Sequence, residues 1–264
     1  MAPLSERATA IAARLEGAVA LDLSVAETFE VAKGIRELTL EGDLASFSPW
    51  PGQDVMISVP PGDDAARWRR YTVRRIDPAS STIDLWVTVD TNGPGATWAG
   101  AAAAGDRVEA VGPRGKIALD AGAPTHLFVV DPSGIAAMCA MAEALVAPAL
   151  VVTIVGMPQF SGFADTEAVA PLCADGVQLR HHVLQDDTGP AWLDQVLDAM
   201  IKPIEDTPIA TYVFGELEMT RRVVAGLPDR GIDPSWIRSK PYWRNDKANE
   251  SNGEPMREGA PDSE

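Results

Sequence analysis

Within the stretch RWRRYTVRRID (67–77), Arg69, Tyr71, Thr72 and Arg74 follow an Arg-x-Tyr-Thr-x-Arg pattern, with Val73 between the last two. A phenol can stack on a flat ring such as a flavin, and a threonine hydroxyl or its backbone can bond that ring's polar edge. A guanidinium grips a phosphate through two parallel hydrogen bonds. On a strand successive side chains alternate, so Arg69 and Tyr71 share one face while Arg70, Thr72 and Arg74 share the other. The same residues also suit a solvated basic edge strand that deters pairing.

A second cluster, NGPGATWAG, places Gly93, Gly95, Ala96, Thr97 and Trp98 at the entry to an Ala-rich helix, three residues after Asp90. Small residues at a helix start expose backbone amides and the positive end of the helix dipole, which suits a pyrophosphate. An ordinary Gly/Pro turn entering a surface helix has the same composition. Two further groups follow apolar runs: Asp131 and Ser133 after HLFVVD, and Gly215 and Glu216 after ATYVF. Near the end, WIRSKPYWR carries Arg238, Lys240 and Arg244 beside Trp236, Tyr242 and Trp243. The adjacent His181 and His182 would point to opposite faces of a strand and cannot share a metal. Cys139 and Cys173 have no CxxC spacing, so neither a disulfide framework nor a metal site is expected. No Gly-x-Ser-x-Gly or phosphate-loop pattern supports a hydrolase or kinase.

The elements that must position these residues change character near residue 122. From Leu21 to Ala118 short alternating segments are separated by turn residues, as in TIDLWVTVD, where Ile83, Leu85, Val87 and Val89 share a face. Five or six such strands predict a small antiparallel barrel. Beyond Ala123 apolar strands alternate with helical runs (IAAMCAMAEALV, PAWLDQVLDAMI, MTRRVVAGL), which predicts a doubly wound, mostly parallel sheet with both faces covered. The expected layout is an amphipathic helix within 1–20, a barrel over 21–122, an α/β domain over 123–244 and a disordered tail over 245–264. A crevice between barrel and sheet can hold a dinucleotide cofactor.

Thirty-eight acidic residues against 22 basic ones give a formal net charge of −16, which argues against nucleic-acid binding. No apolar run reaches the roughly 18 residues of a membrane span, and charged residues interrupt every run near the start, so no export signal is read and a cytoplasmic location is expected.

Together these motifs resemble the FAD-binding barrel of the ferredoxin reductase superfamily, and within it the siderophore-interacting proteins, or ferric siderophore reductases. The resemblance rests on Arg69-Arg70-Tyr71-Thr72-Val73-Arg74, on GPGATWA (93–99), on GDRV (105–108) with GPRG (112–115), on Gly215-Glu216 and on Tyr242-Trp243-Arg244, and spans roughly residues 22–244. It departs at Asp90, where the family tends to have histidine, and at VDPSGIAAM, where the family usually reads Gly-Asp-Glu-Thr-Ala-x-Pro-Ala. It departs again at Pro241, where a glycine is usual.

The resemblance implies FAD held by Arg69, Tyr71, Thr72, Val73, Arg74, Asp90, Gly93, Gly95, Ala96, Thr97 and Trp98, with Trp243 shielding the ring. It implies an α/β domain like those that bind NAD(P), a donor (NADH, NADPH or a small carrier protein) and a ferric siderophore near Asp131, Ser133, Gly215, Glu216, Arg238, Lys240 and Arg244. The last three offer a basic patch for an anionic chelate. Another FAD oxidoreductase on this scaffold, biosynthetic or quinone-type, and a non-catalytic chelate-binding protein fit the same residues.

Overall fold

A computed structural model describes residues 4–59, 68–91, 93–156, 167–184, 194, 197–198, 201 and 208–244. Six strands close into an antiparallel barrel in the order β1-β2-β5-β4-β3-β6: β1 (Val19–Ala32), β2 (Ile35–Gly42), β3 (Asp54–Ser58), β4 (Trp68–Asp77), β5 (Thr82–Thr88) and β6 (Arg107–Arg114). In β5 every second residue is buried, and Ile83, Leu85 and Val87 point into a core shared with Leu23, Leu38, Leu40, Val55 and Ile57. Val89 falls beyond the end of the strand and only half packs on this core.

Among the described residues two helices pack on the barrel. Helix α1 (Glu6–Ala12) begins at Ser5, whose hydroxyl accepts from the Ala8 amide, and it buries Ala8 against Trp68 and Val111 on the outside of the wall. Helix α2 (Pro94–Ala101) sends Trp98 and Ala99 into the barrel core. Its small residues let the helix approach the strands closely.

The second sheet is parallel throughout, in the order β11-β10-β7-β8-β9: β7 (Thr125–Val130), β8 (Ala149–Gly156), β9 (Val177–Leu184), β10 (Ile209–Glu216) and β11 (Ile237–Trp243). Alternation sorts its side chains between two layers. Phe128, Val130, Tyr212 and Phe214 pack with Ile135, Met138 and Met141 of α3 (Ile135–Glu143). Leu127, Val129 and Val213 pack with Val223 of α4 (Leu217–Gly226) on the opposite face, joined by Leu197 and Ile201. The helix expected over 190–201 lies largely outside the described residues, as does the tail expected over 245–264. The closing segment IRSKPYW forms edge strand β11, which carries the carboxyl-end aromatics back to the barrel.

Candidate functional site

Strand β4 divides its side chains as the alternation requires. On one face, Arg69 and Tyr71 reach the start of α2. A β-carbon placed on Gly95 would lie 2.1 Å from the Tyr71 hydroxyl oxygen and 3.5 Å from Cγ of Arg69, so only glycine admits these two side chains there. The rings of Tyr71 and Trp98 tilt together with centroids 6.0 Å apart. Burial raises the pKa of the Tyr71 phenol, with Arg69 opposing, so the group stays a neutral hydrogen-bond donor.

The N-terminus of α2 has no side-chain cap. Its cap residue Gly93 offers no side-chain acceptor, Pro94 has no amide proton, and the first intrahelical bond runs from the Thr97 amide to the Gly93 carbonyl at 3.0 Å. The amides of Gly95 and Ala96 are therefore left over, as the first turn of any helix leaves them. The exposed Thr97 hydroxyl donates back to the Gly93 carbonyl at 3.2 Å. Asp90 is exposed just upstream and lies over Gly34, where a β-carbon would meet its carboxylate at 2.2 Å. Val73 is buried in the barrel core, and its amide is committed to the Gln53 carbonyl at 3.0 Å.

The other face of β4 meets the second domain. Asp54, directly across from Thr72 in β3, is 4 % exposed. Its Oδ2 accepts from Arg70 Nη2 at 2.5 Å and from Lys240 Nζ at 2.8 Å, and its Oδ1 accepts from Arg70 Nε at 3.1 Å. Burial pushes this carboxyl up, but Lys240 and Arg70 outweigh burial and hold it below the ordinary carboxylate value. Thr72 lies 3.4 Å from the Tyr242 hydroxyl, and Tyr242 stacks on Phe214 at 5.6 Å. The Arg74 guanidinium is committed to Glu143 of α3 through bonds of 2.8 and 2.6 Å, and it lies over the Trp86 ring at 4.6 Å. The structure thus does not bring Arg74 to Arg69 and Tyr71; it makes Arg74 a strut between the domains.

At the carboxyl end of the parallel sheet, Asp131 gathers three segments. Its Oδ1 accepts from the Ser133 amide at 2.8 Å and the Ser133 hydroxyl at 2.5 Å. Its Oδ2 accepts from the Glu216 amide at 2.7 Å and from Trp243 Nε1 at 2.8 Å. Burial raises this carboxyl, and the four donors work against it. Gly215 has φ +145°, and a β-carbon there would sit 2.6 Å from Cγ of Asp131. Glu216 caps α4 by accepting from the amides of Glu218 and Met219. Asp131, Ser133, Gly215, Glu216 and Trp243 are therefore one assembly at the carboxyl ends of β7, β10 and β11.

Arg238 stands apart. It is five residues before Trp243 on β11, roughly 16 Å along the strand, and it pairs with Asp120 at 2.8 Å. Arg244 is half-buried just past the strand. His181 bonds Thr153 at 2.6 Å through Nδ1, and among the described residues no group of three metal-ligating side chains forms. Sequence reasoning missed Asp54 and Glu143. Asp54 had a signal, because a charge opening an apolar strand must find cations once buried. Glu143 had none, since an acidic residue near the end of a helix is ordinarily solvated.

Residues 25–117 match the family described as siderophore-interacting FAD-binding domain, and residues 123–246 match siderophore-interacting protein. The chain belongs to the siderophore-interacting protein family. Solved structures agree on the fold. A siderophore utilization protein from T. fusca is 21% identical, with a TM-score of 0.72 over 90% of this chain and 97% of its own. The siderophore-interacting protein from Acinetobacter baumannii is 15% identical (TM-score 0.70; 86% and 92% covered). The ferredoxin reductase in carbazole 1,9a-dioxygenase is 18% identical (0.69; 86% and 70%). FAD is thus the cofactor of this siderophore-interacting protein's barrel, on a flavin oxidoreductase fold. Among the described residues no helix is long and apolar enough to cross a membrane.

Proposed function

We propose that this siderophore-interacting protein is an FAD-dependent reductase of ferric siderophores. It takes electrons from NADH, NADPH or a small electron-carrier protein and acts in the cytoplasm, where its cysteines, both free, stay reduced. The observation that carries this reading is the convergence of Arg69 and Tyr71 on the uncapped start of α2. Arg69 and the amides of Gly95 and Ala96 supply the positive charge and donors a pyrophosphate needs. Tyr71 supplies a planar ring with a neutral hydroxyl beside them. These residues fit FAD.

When bound, FAD supplies the step between a two-electron hydride donor and a one-electron acceptor, since it takes up two electrons together and returns them singly to two ferric ions. The chain's own residues bind and orient. Thr72 joins the strand that holds the flavin to Tyr242, and the Asp54 pair with Lys240 locks β11 beside it. Asp131 fixes Trp243 and the turn at Gly215, which shapes the wall where donor and chelate meet. No side chain need transfer a proton to iron. Hard oxygen donors hold Fe(III) far more tightly than Fe(II), so reduction itself loosens the chelate.

The test is anaerobic stopped-flow on the FAD-loaded protein. Flavin absorbance should bleach with NADH, NADPH or reduced ferredoxin, and return on adding a ferric trihydroxamate while a ferrous-specific dye develops colour. Bleaching followed by reoxidation with quinones but not with ferric chelates would reassign the acceptor. A protein that cannot be loaded with FAD would end the reading.

A further inference from the structure

Resting on that reading, we infer that the ferric chelate accepted here is cationic or neutral, and that anionic chelates are disfavoured. The sequence offered Arg238, Lys240 and Arg244 as a patch for an anionic ligand, and the structure removes two of them. Arg238 is at the far end of β11, paired with Asp120. Lys240, 7 % exposed, is buried on Asp54, which Arg70 also grips. Arg74, which could have extended the patch along β4, is buried on Glu143. At Lys240, Arg238 or Arg74, an anionic chelate would have to pull the cation away from a carboxylate that already holds it, leaving that carboxylate uncompensated.

The surroundings point the same way. Asp131, bonded to Trp243, and Glu216, whose carboxylate caps α4, add carboxylates at the end of the sheet where Trp243 stands, and FAD would bring its own negative pyrophosphate. Behind them lies a chain of net charge −16, whose summed field repels an approaching anion and draws in a cation. Tyr242 is already engaged by Phe214 and by the Lys240 ammonium, the latter 5.8 Å from its ring centre, which leaves the half-buried Trp243 as the aromatic ring beside these carboxylates, a group that suits a cation better than an anion.

The experiment holds iron coordination constant and varies only peripheral charge. A linear ferric trihydroxamate with one pendant ammonium is compared with its N-acetyl (uncharged) and N-succinyl (carboxylate) derivatives. The second-order rate constant for reoxidation of the dithionite-reduced, FAD-loaded protein is measured at 0.01 M and 0.15 M salt. Each ferric ion takes one electron, so two chelates are consumed per reduced flavin. The cation should outpace the anion about ten-fold at low salt, with the gap narrowing as the screening length falls from about 30 to about 8 Å.

The gallium(III) complexes, equal in charge but not reducible by flavin, should bind the oxidised protein in the same order. Glu216→Gln keeps an acceptor for the cap and should narrow the gap about two-fold. Equal rates for the three derivatives at low salt, or preference for the anion, would overturn the inference. Reoxidation by none of the three, with quinones still reacting, would instead overturn the reductase reading and take the charge preference with it.

Discussion

Asp54 and Lys240 are 186 residues apart, and their ion pair is the buried polar link between β3 and β11. At 2.8 Å and an effective dielectric near 20, the gross attraction is about 6 kcal/mol. Desolvating both charges offsets most of this, so the intact pair adds little net stability. Removing one partner is different, because the other remains in a site that water does not reach. Asp54→Ala leaves Lys240, whose side chain is 8 % exposed, without its carboxylate, while Arg70 at 29 % can turn to solvent. The expected loss is about 3–5 kcal/mol.

Lys240→Met should cost less, since Asp54 keeps both bonds to Arg70. The double variant should be more stable than Asp54→Ala alone, because it removes the buried ammonium that has lost its carboxylate. Urea denaturation followed by far-UV circular dichroism, on all four proteins without FAD, reads these differences directly. A loss below about 1 kcal/mol for Asp54→Ala, or effects that simply add in the double variant, would refute the account of the pair as a mutually compensating buried unit.

Arg69→Ala combined with Tyr71→Ala should abolish flavin retention with the circular dichroism spectrum unchanged, measured as flavin absorbance per protein after gel filtration; full flavin content would remove both residues from the site. Gly215→Ala, placing a methyl against Asp131 at a backbone angle L-residues rarely adopt, should destabilise by about 2–3 kcal/mol, read by thermal melting. His126 lies fully buried against Tyr212, and burial lowers its pKa, with the Ala123 carbonyl and Asp120 opposing. Its contribution is therefore complete above the unfolded value of about 6.5 and is lost as pH falls below it. The melting temperature of the native protein should drop relative to that of His126→Phe between about pH 7 and 5, and parallel pH profiles would contradict this.

Much of the site was legible because strand and helix periodicities are local. The alternation in RRYTVR assigns Arg69 and Tyr71 to one face of β4, and the contacts with Gly95 and Trp98 place both there. The apolar strands after residue 123 specify a covered parallel sheet, since a strand apolar on both faces cannot meet water on either. Glycine at 95 and 215 was legible as small, but the reason for it was not: each is fitted to a side chain from a distant segment, Tyr71 in one case and Asp131 in the other.

Which cations are available to a ligand was decided by the tertiary structure alone. Arg74, Arg238 and Lys240 look alike as basic residues beside aromatics, yet their partners lie 69, 118 and 186 residues away. No spacing rule reaches so far. A charge's partner depends on which surfaces the core brings together, and burial then makes that partner obligatory. The sequence by itself determined the barrel, the wound sheet and the face of β4 that meets α2. Packing of the two domains decided that Arg74, Arg238 and Lys240 would be held by carboxylates of distant segments.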